Sequence, residues 1–428
     1  MEQKALLALG VLALTYVGIM FTRLPHTNLD RPAAALVGGV LMVLLGVLTF
    51  DEAAQAIDVH TIALLLGMML LVGVLQRAGF FTLLAGYTLS LGSTPLRLLA
   101  VVILATGVGS AFLVNDVVVL LFTPVVVQAC RALGVNPVPY LIAEAMASNI
   151  GSTATIVGNP QNMLIGVASG IPFGRFFVLL APVAVLSGVV LFVVVWAFYR
   201  KSLRLGVGSD GVAGRALAVA AGHAFPAEAH RLLWRSVPIL LATIAGFFLS
   251  TTLGIGVHTV ALVGGTAAVV VSGVRPSQVI QSVDWTLLVF FAGLFVVIGG
   301  AQKAGLLEVF LERLALEPNL TGIVSVHLVS TVVSQIVSNV PLTMLAIPLL
   351  KPVGGEVLWL SLAAGSTLGG NATLIGAVAN IIVAEVAARD GAIMGWWEFT
   401  KVGLVVTVLT VGLSMGILAL EWYLGLVG

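Results

Sequence analysis

The stretch Ser148-Asn-Ile-Gly-Ser-Thr-Ala-Thr-Ile-Val-Gly-Asn-Pro-Gln-Asn162 interrupts a long apolar run of the sequence. Its glycines weaken a helix and Pro160 removes a backbone donor, so one regular helix cannot continue through it. In lipid, a backbone group without a partner costs several kcal/mol, so such a break survives only where it is buried in protein or lines a polar cavity. The stretch predicts a broken membrane helix over about 140–168 that contributes to a binding site.

The same pattern returns in the second half as Ser366-Thr-Leu-Gly-Gly-Asn-Ala-Thr-Leu-Ile-Gly-Ala-Val-Ala-Asn380. The two stretches align without a gap, from Ser148 on Ser366 to Asn162 on Asn380. Corresponding Gly-interrupted hydrophobic segments in two halves of a chain indicate the substrate site of a secondary transporter. We therefore predict a second broken helix over about 357–388.

The composition restricts the class of protein. Of the 428 residues, 60% are hydrophobic and 9% charged, and the mean hydropathy is +1.16. The long continuous apolar runs favour membrane helices over the alternating strands of a β-barrel. The net charge of +1 gives no indication of a nucleic-acid partner, and the single cysteine excludes a disulfide framework or a thiolate metal site. No ATP-binding or nucleophile motif is present. We expect an all-α polytopic membrane protein in contact with lipid, without cofactor or metal, and not an enzyme.

Two further polar interruptions predict re-entrant helical hairpins. Val114-Asn115-Asp116 divides the apolar run at about 96–129, and Ser338-Asn339-Val340 divides the run at about 321–350. Residues 1–199 and 236–428 thus repeat one order of spans, hairpin and broken helix. Short amphipathic segments at Phe80–Leu91 and Leu306–Leu316 are expected at the membrane interface.

The charged segment 200–235 between the halves is predicted to be a cytoplasmic linker. With this segment inside, most of the 19 Lys and Arg lie on the cytoplasmic side, as the positive-inside rule requires. The exceptions are Lys4, Arg175, Lys303, Arg313 and Lys351. The first hairpin then enters from the cytoplasm and the second from outside, so the halves are inverted repeats, as in alternating-access carriers.

The four irregular segments are expected to converge near the middle of the membrane. Their amides and hydroxyls both donate and accept hydrogen bonds, and half-helix N-termini add backbone N–H groups. No Lys or Arg is expected at this depth, which disfavours a multiply charged anion. The predicted substrate-binding residues are Asn115, Ser148, Asn149, Gly151, Ser152, Thr153, Thr155, Asn159, Asn162, Ser338, Asn339, Gly369, Gly370, Asn371, Thr373 and Asn380.

Two carboxyl groups are candidates for proton coupling. A carboxylate at bilayer depth costs about 2.5–3.5 kcal/mol on insertion scales and usually has a function. Asp116 at the first hairpin tip is the first candidate, with a structural hydrogen-bond anchor as the alternative. Glu144, on the helix entering the first break, is the second, with a paired residue near the interface as the alternative.

These motifs resemble the ArsB/NhaD ion-transporter superfamily over nearly the whole chain. Val114-Asn115-Asp116 with Thr123-Pro124 is similar to the first hairpin of the ArsB branch, and Ser338-Asn339-Val340-Pro341 to the second. The loop 158–162 looks closer to bacterial anion permeases than to the best-known arsenite carriers. The resemblance implies a transport domain that moves against a scaffold, a bacterial inner-membrane location and a homodimer, with a soluble ATPase subunit as a further partner in the ArsB branch.

The expected function is export of arsenite or antimonite by proton antiport through alternating access. A neutral hydroxylated solute suits a site of amides and hydroxyls without a cation, and one cysteine argues against thiolate capture of arsenic. Alternatives are another small oxyanion, silicate or a carboxylate, and sodium/proton antiport. A passive anion channel is the alternative from another class.

Overall fold

The computed structural model describes residues 2–20, 30–81, 83–84, 94–204, 227–306 and 316–428. These residues form helices and loops without a strand. The first half contains α1 (Glu2–Met20), α2 (Arg31–Leu44), α3 (Phe50–Ala56), α4 (Val59–Arg77), α5 (Pro95–Phe112), α6 (Asn115–Ala132), α7 (Val138–Ser152), α8 (Pro160–Ser169) and α9 (Phe173–Arg204). The second half contains α10 (Ala227–Leu253), α11 (Val257–Val271), α12 (Pro276–Gln281), α13 (Trp285–Lys303), α14 (Leu320–Val337), α15 (Asn339–Leu350), α16 (Glu356–Gly369), α17 (Val378–Arg389) and α18 (Trp396–Tyr423).

The helices of the two halves follow the same order among the described residues. Each half has a long first helix, a scaffold group of three, a hairpin (α5–α6 and α14–α15), a broken helix (α7–α8 and α16–α17) and a long last helix. Nine of the described helices are long and apolar enough to cross a membrane. The predicted fold class, an all-α polytopic membrane protein of two inverted repeats with hairpins and broken helices, is confirmed.

Some predicted segments end elsewhere or fall outside the described residues. The predicted linker 200–235 is helical at both ends, because α9 runs to Arg204 and α10 begins at Ala227, and residues 205–226 are not described. Most of the predicted amphipathic segments Phe80–Leu91 and Leu306–Leu316 also lie outside the described residues. Hydropathy alone does not locate these helix ends, since helices of this kind extend beyond the lipid.

Glycines join the scaffold helices of one half to those of the other. A Cβ on Gly39 of α2 would lie 3.2 Å from the Gly293 carbonyl oxygen of α13. At the equivalent crossing, a Cβ on Gly265 of α11 would lie 2.4 Å from the Gly67 carbonyl oxygen of α4. Small residues of this kind let membrane helices approach closely. The scaffold therefore consists of two equivalent crossings, each with one helix from each half.

Contacts between distant parts of the chain agree with the predicted orientation. Arg175 pairs with Glu356 and Lys303 with Glu52, all four expected outside. On the expected cytoplasmic side, Arg77 donates to the Gln278 carbonyl, Arg131 to the Asp390 carbonyl, and the Tyr199 hydroxyl to Glu398. Every one of these contacts joins residues that the positive-inside rule places on the same side.

The broken helices form the centre of the molecule. Every residue of α7 is buried, and so is every residue of α16 after Glu356. The first hairpin arm packs on the broken helix of its own half in both repeats, α5 on α7 and α14 on α16. This arrangement encloses the first break in the protein interior, whereas the second break is buried except at Thr373, Leu374 and the exposed Ile375.

Candidate functional site

Asparagines shape the two broken-helix loops in the same way. In the first, the Asn162 side-chain amide Nδ2 donates to the carbonyl oxygens of Ser152 and Thr155, both at 3.0 Å. In the second, Asn380 Nδ2 donates to those of Gly370 and Thr373 at 2.8 and 3.1 Å. These four carbonyls occupy equivalent positions in the two repeats. Asn162 and Asn380 thus satisfy backbone acceptors that the break would otherwise leave buried without a partner.

Pro160 begins the second segment of the first broken helix. It is the first residue of α8, where its missing N–H carries no cost. Asn159 precedes it as the N-cap, and its Oδ1 accepts from the Asn162 backbone N–H at 2.8 Å. The interruption therefore ends at Pro160, where a capped and buried helix begins.

The hairpin tips are constrained by tertiary contacts and backbone strain. The Asn115 backbone N–H donates to the Gly158 carbonyl at 3.0 Å, which joins the first hairpin tip to the first broken-helix loop. Ser338, at the second tip, has φ 75° and ψ 161°, and it is the one described residue other than glycine with a positive φ. Strained backbone of this kind concentrates at ligand sites and switch regions.

The hairpin tips and broken-helix loops meet at a cavity of about 180 Å³ that both polar and apolar side chains line. Residues from both halves line it, as the duplicated pattern predicts. The lining comprises Ile19, Arg31, Pro32, Asn115, Asp116, Asn149, Pro160, Gln161, Asp284, Thr286, Leu287, Phe290, Ser338, Asn339, Val340, Ala377 and Val378.

Four helices of the hairpins and broken helices begin at this cavity. Asn115, Pro160, Asn339 and Val378 are the first residues of α6, α8, α15 and α17, and each lines it. A helix N-terminus presents free backbone N–H groups and a partial positive charge, which favour oxygen-rich and anionic ligands. Within the described part of the chain, no group of three or more His, Cys, Asp or Glu side chains could hold a metal ion. The chemistry of the cavity suits an oxygen-rich solute.

A relay of side-chain amides connects the cavity to the second repeat. Asn149 Nδ2 donates to Asn371 Oδ1 at 2.9 Å and to Asn380 Oδ1 at 3.0 Å, while Asn115 Nδ2 donates to Asn149 Oδ1 at 3.5 Å. Because Asn380 already donates to two backbone carbonyls, its oxygen must be the acceptor in this relay. Each amide therefore has a defined orientation.

The structure brings Asn115, Asp116, Asn149, Ser338 and Asn339 of the predicted site to the cavity. The other predicted polar residues lie behind it, where their hydrogen bonds hold the loops. Ser148 accepts from Ser110, Ser152 accepts from Asn159, Thr155 donates to the Ala111 carbonyl, and Thr373 donates to Gln335. Thr153 donates to the Asn149 carbonyl, and Asn371 accepts from Asn149. A role in binding solute remains a prediction for all of them.

The predicted glycines lie at close helix contacts. A Cβ on Gly151 would lie 2.1 Å from the Gly107 carbonyl oxygen of α5, and one on Gly369 would lie 2.9 Å from Thr331 Cα of α14. On Gly370 it would lie 3.1 Å from Ala377 Cβ. Gly151 and Gly369 thus allow the hairpins to pack against the broken helices, whereas Gly370 makes a close contact within the second broken-helix loop.

Glu144 does not line the cavity. It is fully buried on α7, its Oε1 lies 3.1 Å from Thr123 Oγ1, and its Oε2 has no hydrogen-bond partner among the described residues. The one hydroxyl hydrogen of Thr123 has a nearer acceptor in the Val119 carbonyl, at 2.7 Å. Glu144 is thus enclosed by protein, and its proton-coupling role and its alternative as a paired residue near the interface both stay predictions.

Sequence reasoning missed Arg31 as a residue of the cavity, because the expectation concerned only cations in the middle of the membrane. Arg31 is the first residue of α2, where its position in the sequence suggests a cytoplasmic loop, yet it lines the cavity. Asp284 lines it too, and its Oδ1 accepts from the Leu287 N–H as a helix cap. The signal available in the sequence was Asp30-Arg31-Pro32, a helix start directly before an apolar run.

Comparison with known proteins agrees with this architecture. An uncharacterized transporter of Mycobacterium bovis is 33% identical over 97% of this chain and 99% of its own length. A silicon efflux transporter of Oryza sativa subsp. japonica is 29% identical over 92% of this chain and 94% of its own. The crystal structure of the Alcanivorax borkumensis YdaH transporter covers 99% of this chain and 98% of its own, with a TM-score of 0.59. At 17% identity it shows a shared fold alone.

The family follows from the sequence profile that the chain matches. The CitMHS profile, described as citrate transporter, matches residues 16–365. This confirms a membrane transporter of the permease type, whereas arsenite efflux stays a prediction. The chain belongs to the CitMHS citrate transporter family.

Proposed function

We propose that this protein is a proton-coupled secondary carrier of a small oxygen-rich solute. The observation that supports the proposal is the cavity at which four helix N-termini from both repeats meet. Inverted repeats make alternating access possible. When the two repeats exchange conformations, the cavity closes to one side of the membrane and opens to the other.

The cavity opens toward the cytoplasm in this proposal. Arg31 and Asp284 line it as the first residue of α2 and the N-cap of α13, both predicted to be on the cytoplasmic side. The structure then corresponds to an inward-facing state. Movement of the hairpins and broken helices against the scaffold would produce the outward-facing state.

Asp116 is the proposed proton site. It is partly buried, lines the cavity, and has no ion-pair partner among the described residues. An isolated buried carboxylate is costly, and protonation removes that cost. Glu144, buried in α7 outside the cavity, is the second proposed proton site.

Arsenite and antimonite, exported against protons, are the first proposed solutes. Amides at both hairpin tips can bind the hydroxyls of As(OH)₃. The silicon efflux transporter among the relatives acts, by its name, on an element whose neutral acid is also hydroxylated. The test is arsenite flux in proteoliposomes with and without an imposed pH gradient. Flux that does not respond to the gradient would contradict proton coupling, and absence of counterflow would favour a channel.

A small carboxylate is the second candidate. Arg31 in the cavity and the description of the family as citrate transporters both favour it. The same proteoliposomes loaded with labelled citrate separate the two candidates, because a carrier of neutral acids does not exchange citrate for citrate.

A further inference from the structure

We infer that the outer ends of α4 and α11 form the scaffold wall of the solute cavity in the outward-facing state, where His60 and His258 make the opening to the outside depend on external pH. The inference rests on the proposed function, because it identifies the residues that an alternating-access carrier presents to the outside. Its basis is the equivalence of the two scaffold crossings, which relates these histidines to residues that line the observed cavity.

The two scaffold crossings are equivalent down to single contacts. A Cβ on Gly73 of α4 would lie 2.9 Å from Ser282 Oγ at the end of α12, and a Cβ on Gly299 of α13 would lie 2.7 Å from Ala56 Cβ of α3. Gly73 and Gly299 are 226 residues apart in the chain, and so are Ala56 and Ser282. Inverted repeats place such equivalent residues on opposite sides of the membrane. The glycines of the two helix crossings have the same spacing, Gly39 with Gly265 and Gly67 with Gly293.

The scaffold wall of the observed cavity therefore has an equivalent at the outer ends of α4 and α11. The helix caps show that this equivalence extends to local structure. Asp58 Oδ1 accepts from the Thr61 backbone N–H at the start of α4, as Asp284 Oδ1 accepts from that of Leu287 at the start of α13. At the spacing of 226 residues, the wall residues and their outer equivalents are Arg31 with Val257, Pro32 with His258, Asp284 with Asp58, and Thr286 with His60.

His60 and His258 join the outer ends of the two helices. Their ring centroids are 4.3 Å apart and the ring planes differ by 10°, so the rings are stacked. Their equivalents Thr286 and Pro32 line one cavity, so the two pairs lie at matching points of the two crossings. His60 is exposed and His258 is half-buried. In the orientation predicted from the sequence, both rings lie at the outer face, where external protons reach them.

The two walls carry different charges. At the cytoplasmic wall Arg31 is positive and Asp284 negative, whereas the outer wall has Asp58 and the uncharged Val257. Asp116 takes part in both states, because it belongs to a hairpin that moves between them. While both imidazoles are neutral, the outer wall is net negative and repels the Asp116 carboxylate. A proton on the histidine pair balances Asp58 and removes this repulsion.

The surroundings of the pair favour one added proton. Among the described residues, including the helices packed against α4 and α11, the titratable groups whose charge reaches His258 are His60 and Asp58. Asp58 is held beside the pair, because its Oδ1 accepts from the His60 backbone N–H at 2.9 Å. This carboxylate attracts a first imidazolium, whereas two stacked imidazolium ions would repel one another. External acid therefore adds a single positive charge to the outer wall and favours the outward-facing state.

Val340 is suited to report both states. It lies at the second hairpin tip and lines the observed cavity, and so does Asp116, its equivalent at the first tip. Exchange of the two repeats therefore keeps Val340 at the cavity while the scaffold wall beside it changes. A cysteine at this position can be paired with one in either wall.

The test uses pairs of cysteines in the full-length protein, reconstituted in proteoliposomes. Thr286→Cys with Val340→Cys reports the inward-facing state, because both residues line the observed cavity. Val257→Cys with Val340→Cys reports the outward-facing state and leaves both histidines in place. Thr259→Cys with Val340→Cys is the control, because the exposed Thr259 has an equivalent that does not line the cavity. The buried native cysteine is removed throughout by Cys130→Ala.

A short bis-maleimide links each pair while the external pH is lowered from about 7.5 to about 5.5, the range in which imidazole titrates, and the internal pH is kept constant. We expect the outer pair to link faster than the control pair, and its rate of linking to rise about threefold in external acid. The rise should be absent when His60→Gln and His258→Gln are added. His230→Gln, which replaces an exposed histidine of α10, should keep it. Because the thiol chemistry is the same in all backgrounds, the difference isolates the two imidazoles.

Two results would overturn the inference. An outer pair that links no faster than the control pair would contradict the assigned wall, and a rise in external acid that persists in the glutamine variants would contradict the role of the histidines. Solute flux tests the proposed function separately. Linking that follows the external pH as expected, in a protein that moves neither arsenite nor citrate, would contradict the carrier for these solutes and leave the outer wall intact.

Discussion

Asn115 and Asn339 occupy equivalent positions at the tips of the two hairpins. Each is the first residue of the returning helix, each is buried, and each has a side-chain Oδ1 without a partner among the described residues. The duplicated chain thus presents two equivalent acceptors to one cavity, one from each direction of entry into the membrane.

Alanine at either position is expected to weaken solute binding and to leave the fold intact. The Oδ1 atoms have no protein partner, and Asn115 Nδ2 makes one long hydrogen bond, to Asn149 Oδ1 at 3.5 Å. Asn115→Ala and Asn339→Ala should therefore change the free energy of unfolding by no more than about 1 kcal/mol. Loss of one hydrogen bond to the solute corresponds to roughly a fivefold weaker affinity. Counterflow in proteoliposomes and thermal denaturation in detergent measure the two effects.

Asn380→Ala is the matched control for this pair. It removes the donor of two backbone carbonyls, so it should lower the free energy of unfolding by about 3 kcal/mol. A hairpin-tip variant as unstable as Asn380→Ala would mean that the tip amides are structural anchors.

The sequence predicts the fold well because its defining features are local. Glycine, proline and asparagine stand out against the apolar spans, and their repetition in both halves indicates the two hairpins and two broken helices. The same residues do not reveal their own roles. Asn162 and Asn149 have the same side chain in the same broken helix, yet one holds backbone carbonyls and the other orients a relay. That difference depends on contacts across the two halves.

Arg31 illustrates what the sequence does not provide. Hydropathy predicts that a charged residue directly before an apolar run lies in a loop, and the positive-inside rule predicts that this loop is cytoplasmic. Its place at the cavity depends on how α2 crosses α13, through the contact of Gly39 with Gly293. That crossing joins residues far apart in the chain, so no local sequence pattern predicts it.

The direction of the amide relay is testable at Asn149. Asn149→Asp replaces the donor with an acceptor that faces two further acceptors, Asn371 Oδ1 and Asn380 Oδ1. We expect the free energy of unfolding to fall by about 3 kcal/mol in thermal denaturation. Asn136→Asp is the control, because the exposed Asn136 only accepts, from the Val138 N–H at 3.0 Å, and a carboxylate preserves that role. Equal stability of both variants would contradict the assigned orientation.

Close packing of the first hairpin on the first broken helix depends on Gly151. Gly151→Ala would place a Cβ 2.1 Å from a backbone oxygen of α5, so the two helices must separate. The expected loss is about 3 kcal/mol of unfolding free energy. Gly188→Ala, a helical position with no atom within 4 Å of the added Cβ, should be neutral or stabilise by about 0.5–1 kcal/mol. Melting curves of the two variants that coincide would show that the hairpin does not need this contact.

Proton coupling is testable at Asp116. Asp116→Asn keeps the shape of the side chain and removes its titratable proton, so solute exchange should continue while a pH gradient no longer drives accumulation. Separate measurements of counterflow and of gradient-driven uptake distinguish these steps. Asp51→Asn, an exposed carboxyl on α3, should leave both unchanged. Gradient-driven uptake that persists in Asp116→Asn would assign the coupling to another group, with Glu144→Gln the next variant to measure, since Glu144 is the other proposed proton site. Loss of exchange together with uptake would instead place Asp116 in solute binding, because a residue that carries only the proton is not required when solute exchanges for solute without net proton movement.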